Sequence, residues 1–161
     1  MEQNGLLKRS QKLLIVTLLS LALAACQPKE VELEPPEIAY GQDVCDRCGM
    51  IIGEPRYASA TQLSKGDYLK FDDAGEMFAY HAANPDIEVL AWWVHDHPSE
   101  EWISGETAFY VKSDTLSTPM GTGIACFADE SAARQFAAEQ NGNVYSFSEI
   151  QKVPTGNSMG G

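Results

Sequence analysis

Between residues 56 and 147 the apolar positions fall into two kinds of short run, and the two kinds follow one another in the same order twice. Residues 56–63 alternate apolar and polar side chains, the period of a half-buried strand, and Lys65-Gly66-Asp67 turns the chain into a second such run at residues 68–71. Asp73, with Glu76 three positions on, has the spacing of a capping box, so a helix is predicted from there to about Ala83, where Asn84-Pro85 stops it. Residues 87–94 read as a third strand. The grammar then repeats. Residues 107–112 and 123–127 are predicted strands, joined by a loop through Thr118-Pro119-Met120-Gly121. Asp129 caps an alanine-rich helix that ends at Asn141-Gly142, and residues 143–147 form the last strand. Phe71 precedes Asp73, and Phe127 precedes Asp129, by the same two positions. The fold class that follows is α+β: two small related ββαβ units, each too small to bury much core alone and therefore packed together. Their expected limits are residues 40–98 and 99–153.

Ahead of these units the pattern changes. Lys8, Arg9 and Lys12 precede an apolar run at residues 13–23, too short to span a bilayer and of signal-peptide length. The run closes on Leu23-Ala24-Ala25-Cys26, small residues before a cysteine that can accept a diacylglycerol. Residues 1–25 are therefore expected to be a lipoprotein signal peptide and Cys26 the lipidation site. The chain would then sit on a cell membrane or outer membrane, facing the periplasm or extracytoplasmic space. Residues 26–39 carry Pro and Glu without an apolar period and read as a flexible linker, and residues 154–161 as a frayed tail. The net charge of −12 argues against nucleic acid and anionic headgroups, and the signal region, with three basic residues and one acidic, makes the remainder more acidic still.

The chemistry is concentrated in Cys45-Asp46-Arg47-Cys48-Gly49-Met50. Two cysteines separated by two residues can turn their sulfurs toward one centre, and Met50 adds a thioether. Thiolate with thioether selects soft metals, Cu(I) above all, whereas zinc rarely takes methionine. Two other readings stay open: a thiol–disulfide couple, although no helical period follows the motif, and a structural disulfide. Met120 lies in a loop without apolar period, at the stretch of the second unit where it can complete a site with Cys48, Met50 and Cys45. His95 and His97, at strand spacing, and Asp43 are candidate secondary ligands. Met77 and Cys126 read as core. No catalytic triad, phosphate loop or HExxH is present in the sequence, and no enzymatic activity is expected.

Cys45-x-x-Cys48-Gly49-Met50, Pro55-Arg56-Tyr57, Phe71-Asp72-Asp73, Met120-Gly121 and Phe127-Ala128-Asp129, in that order, resemble the NosL family of lipoproteins accessory to nitrous oxide reductase. The resemblance implies a Cu(I)-binding metallochaperone that hands copper to the maturation machinery of that reductase or to another recipient copper enzyme. It also implies two ββαβ units similar to a domain of organomercurial lyase. The alternative from another class is a lipid-anchored thiol–disulfide oxidoreductase built on the Cys45–Cys48 dithiol.

Overall fold

A computed structural model of the chain describes residues 31–154. The expected signal peptide, Cys26 and all but the first residue of the expected tail lie outside the described residues.

The first hairpin forms where the alternation and Gly66 predict it. β1 (Ser59–Leu63) pairs antiparallel with β2 (Tyr68–Phe71) across a turn in which Gly66 adopts φ +84°, a left-handed conformation that costs glycine least. α1 (Ala74–Ala83) follows, then β3 (Val89–His95), which returns beside β1, and a short β4 (Trp102–Ser104) on its far side. The sheet order is β2-β1-β3-β4. In the second unit β5 (Phe109–Lys112) pairs with β6 (Ile124–Phe127), α2 (Glu130–Glu139) crosses over, and β7 (Asn143–Tyr145) returns to the free edge of β5, giving the order β6-β5-β7. In both units the first strand is central and the third returns to its open side. The repeat visible in the sequence is thus a repeat of topology, and the α+β reading holds.

Two local differences have local causes. The expected strand at residues 56–63 begins as a single 3-10 turn, Pro55–Tyr57, because Pro55 fixes φ and favours the first position of a turn, and only then extends. The expected last strand at residues 143–147 stops at Tyr145 because Ser146 and Glu149 form a capping box. That box opens a short helix, α3 (Phe147–Ile150), whose Ile150 is fully buried.

The two-residue period of the strands distributes the core. Along β5 and β6, Tyr110, Ile124 and Cys126 face a cluster shared with Phe71, Met77, Phe78 and Val94 of the first unit. Val111, Ala125 and Phe127 face the other way, onto Ala133 and Ala137 of α2. β6 is consequently buried along its whole length. Neither unit closes its core alone: the central cluster takes side chains from both, and burial of each large aromatic there contributes about 1.5–3 kcal/mol. Cys126 and Met77 sit in that cluster as expected.

The last part of the expected linker is extended and held against the first hairpin. Gln62 Nε2 donates to the Glu32 carbonyl at 2.7 Å, the Tyr68 hydroxyl to Glu34 at 2.9 Å, and Lys70 Nζ to Glu37 at 2.7 Å. Among the described residues no helix is long and apolar enough to cross a membrane.

Candidate metal centre

The cysteine motif is a tight hairpin. Val44 bridges Ile51 antiparallel, the Cys45 amide donates to the Met50 carbonyl at 2.8 Å, and the Gly49 amide donates to the Cys45 carbonyl at 2.8 Å. Closing so small a loop drives Gly49 to φ +72°, where a side chain would cost about 1 kcal/mol. The hairpin docks on the outer edge of β2. Asp46 N donates to the Lys70 carbonyl at 2.8 Å, and the Asp46 carboxylate accepts from the Lys70 amide at 2.6 Å. The unpaired edge of β2 is thereby covered.

This docking turns Cys45 into the core, where it is 1% exposed, and leaves Cys48 half-buried beside it. Glu76, on the first turn of α1, reaches the pair from below. The Sγ atoms of Cys45 and Cys48 and a carboxylate oxygen of Glu76 all lie within 4.8 Å of one another. Glu76 is 4% exposed; its Oε1 is paired with Arg47, and its Oε2 is buried with no hydrogen-bond partner among the described residues. From the other unit Met120 brings its thioether to 4.0 Å from Cys48 Sγ, across 72 positions of sequence. The loop that carries it is fixed by Asp73, whose Oδ2 accepts from the Thr118 hydroxyl at 3.0 Å, the Thr122 hydroxyl at 2.9 Å and the Met120 amide at 3.3 Å.

The electrostatics favour a cation. Burial, the adjacent Asp73 and the nearby Glu54 and Glu76 push the Asp72 carboxyl up to about 6, against a hydrogen bond from the Gly53 amide. Burial raises Glu76 as well, with Arg47 opposing it and Asp73 adding to it. The Cys48 thiol is pushed up to about 11, first by burial and further by Cys45 and Glu76, although the Met50 amide facing it works the other way. At neutral pH that thiol holds its proton until a metal displaces it. The donor set suits a soft ion: two thiols, a thioether and an uncommitted carboxylate oxygen meet at a partly open surface.

The structure thus brings together Cys45, Cys48 and Met120 of the residues singled out in the sequence. Met50 stands on the rim, 52% exposed. The candidate secondary ligands are engaged elsewhere. His95 is buried with Nδ1 against the Ala58 carbonyl at 2.9 Å, so that nitrogen carries the proton, and Nε2 accepts from the Tyr40 hydroxyl at 3.1 Å. His97 packs among Tyr57, Phe127 and Phe136 instead of sharing a side with His95. Asp43 is bound to Lys70 Nζ at 2.7 Å and to the Ala39 amide at 3.1 Å, which hold its carboxyl below the usual range. None of the three joins the Cys45–Cys48–Glu76 group. Glu76 is the residue that sequence reasoning missed. The signal for it is Arg47, a lone cation between the two cysteines, which needs an acidic partner; the capping-box spacing explained Glu76 too readily. Asp73 accepts from the Glu76 amide at 3.0 Å, but the Glu76 side chain turns to Arg47 and does not complete the box.

Fold and donors together define a class: a two-unit α+β protein with a thiol, thioether and carboxylate cluster where its units meet. The chain belongs to the NosL family, which residues 37–153 match. It is 30% identical over 163 residues to the copper-binding lipoprotein NosL of Stutzerimonas stutzeri, an alignment spanning 93% of this chain and 85% of that one. Its fold is similar to the crystal structure of the copper chaperone NosL from Shewanella denitrificans, with a TM-score of 0.66 at 19% identity over 75% of this chain and 98% of the other.

Proposed function

We propose that the chain is a lipid-anchored Cu(I) metallochaperone, a carrier and not an enzyme, that supplies copper to the maturation machinery of nitrous oxide reductase or to another extracytoplasmic copper enzyme. One contact carries the reading: a thiol and a thioether from different units, Cys48 and Met120, meet at 4.0 Å. Cu(I) accepts two or three soft ligands, so Cys48 as thiolate with Met120 forms the minimum site. Cys45 closes it from the core side and Met50 from the solvent side. The buried carboxylates of Asp72 and Glu76 add negative potential for the ion. A low-coordinate site at the surface lets the cargo leave by ligand exchange with a recipient. The name of the Stutzerimonas relative and the Cys26 motif support anchoring to a membrane on its extracytoplasmic side.

The oxidoreductase reading is weaker on two counts. Cys45 and Cys48 lie on a hairpin, without the helix N-terminus that acidifies a redox thiol, and the Cys48 thiol is pushed up to about 11 instead of down. The deciding experiment is anaerobic Cu(I) titration of the reduced full chain in detergent against a competing chelator. Binding near one equivalent, lost in Cys48→Ser and weakened in Met120→Leu and Met50→Leu, is the expected result. Binding indifferent to all three substitutions, or none in competition with the chelator, overturns it.

A further inference from the structure

Met120 lies in a loop with little structure of its own. Between Ser113 and Gly123 its backbone is closed by the Ser113–Gly123 hydrogen bond at 2.9 Å and the Gly121–Thr118 hydrogen bond at 3.0 Å, and Gly121 and Gly123 both adopt positive φ. Ser113 and Thr115 tie the start of the loop to the Gln140 carbonyl, and Thr118 Oγ1 accepts from the Gly123 amide; what binds the Met120 stretch to the other unit is a single carboxylate. Asp73 is fully buried and accepts four hydrogen bonds: Oδ1 from the Glu76 amide, and Oδ2 from Thr118, Thr122 and the Met120 amide itself. The same carboxylate therefore starts the helix that carries Glu76 and holds the loop that carries Met120. The approach is close: a Cβ added at Gly75 would lie 2.4 Å from the Thr122 Cβ, so only glycine lets the first turn of α1 meet this loop.

We infer that Asp73 is the positioning residue of the copper site, a latch that sets the Met120 sulfur against Cys48 and so joins the two halves of the site. This rests on the copper-carrier reading and adds to it the device that makes the site bipartite. Asp73 itself is not among the grouped donors. The three donors that meet Oδ2 make the latch selective for the carboxylate. Asparagine caps a helix about as well as aspartate through its carbonyl oxygen. Its other terminal atom is an amide nitrogen, a donor, and would face three donors. The two threonine hydroxyls can reverse and accept, but the Met120 amide cannot.

Asp73→Asn thus separates the cap, which it keeps, from the latch, which it loses. In the full chain loaded anaerobically with Cu(I), X-ray absorption should show one sulfur fewer around copper in Asp73→Asn, the same loss as in Met120→Leu. Affinity against the competing chelator should fall about tenfold to a hundredfold, the usual effect of removing the group that orients a ligand. The double variant Asp73→Asn/Met120→Leu should bind no more weakly than Met120→Leu alone. Gly75→Ala, which displaces Thr122 without touching the carboxylate, should give the same sulfur count, and it carries the test should Asp73→Asn fail to fold. A folded Asp73→Asn or Gly75→Ala with the wild-type sulfur count, or an effect that adds to that of Met120→Leu, overturns the inference. A Met120→Leu chain identical to wild type in affinity and sulfur count, with Cys48→Ser unable to bind, removes Met120 from the site and the latch with it while leaving the carrier reading standing.

Discussion

At the end of β2, Phe71-Asp72-Asp73 leads into α1; at the end of β6, Phe127-Ala128-Asp129 leads into α2. Both phenylalanines are buried, and both aspartates accept from the amide three residues on, at 3.0 Å from Glu76 and 2.8 Å from Ala132. Beyond the cap the two junctions diverge. Asp129 is exposed and holds only its own helix, whereas Asp73 is fully buried and also holds the Met120 loop. The first turn of α1 buries Ala74, Gly75 and Glu76; α2 buries only Ala133 and Ala137, further along. The repeat supplies one local structure twice. The meeting of the units encloses one copy and leaves the other in solvent, and the candidate metal centre lies at the enclosed copy. A cap is thus a stability device by default and a positioning device only where a second element comes within reach of its spare oxygen.

The largest effects test the shared part of the comparison. Phe71→Ala and Phe127→Ala should each destabilise the fold by about 3–5 kcal/mol in urea denaturation, because both rings are almost fully buried. If Phe127→Ala costs less than about 1 kcal/mol, the second unit does not depend on its own aromatic cluster and the symmetry is only formal. The capping residues come next and should split. Asp129→Ala loses one cap, about 1 kcal/mol, with copper binding unchanged. Asp73→Ala strands two buried hydroxyls and an amide as well and should cost about 3 kcal/mol. Equal losses in thermal or chemical denaturation would mean that the latch contributes nothing to stability.

Asp72 and Ala128 are the position at which the two junctions differ most simply, and pH exposes the difference. The Asp72 carboxyl is pushed up to about 6 in the folded protein from an ordinary value of 3.8, chiefly by burial and by Asp73. Between those values the folded state holds a proton that the unfolded state has lost. Stability contributed by this group is therefore complete below about pH 4 and falls as pH rises toward 6. Asp72→Asn should stabilise the protein by about 2 kcal/mol at pH 7.5 and leave it unchanged near pH 3.5. Ala128→Asp, on the exposed counterpart, should show no such pH dependence. A pH-independent effect of Asp72→Asn would mean that the carboxylate is compensated in the folded state.

How much of this was legible follows the same divide. The Gly66 turn, the starts of both helices and the succession of strands and helix along each unit depend on neighbours in sequence, so periodicity and capping spacing reached them; the order of strands within each sheet and the short β4 depend on distant pairings and were not read. The convergence of Cys45, Cys48 and Met120 was legible because thiols and loop methionines are scarce and their chemistry is narrow. Glu76 and Asp73 were read only as cap residues, since what distinguishes them is Arg47 and the Thr118–Thr122 loop, 29 and 45 positions away. His95 and His97 show the converse: strand spacing suggested a shared side, but β3 ends at His95, and the two rings enter different aromatic clusters.

The smallest expected effect belongs to the helix ion pairs, and it closes the comparison at the level of single charges. On α2, Arg134 and Glu130 form an i,i+4 pair at 2.5 Å with both side chains largely exposed. Water screens such a pair, so Arg134→Ala should cost no more than about 0.5 kcal/mol. On α1, Glu76 is paired with Arg47 but only 5% exposed, and its second oxygen already lacks a partner. Arg47→Ala leaves a buried carboxylate without its cation, and the folded protein must either hold that charge uncompensated or take up a proton. A loss of about 1–2 kcal/mol is expected at neutral pH, intermediate between an exposed and a fully buried pair because Arg47 itself is partly in solvent. The loss should shrink as pH falls, since protonating Glu76 removes the charge that Arg47 offsets. Denaturation of both variants at two pH values reads the difference directly. Equal, pH-independent losses would place the two pairs in the same dielectric, and Glu76 would then be an ordinary surface acid that happens to lie near two thiols.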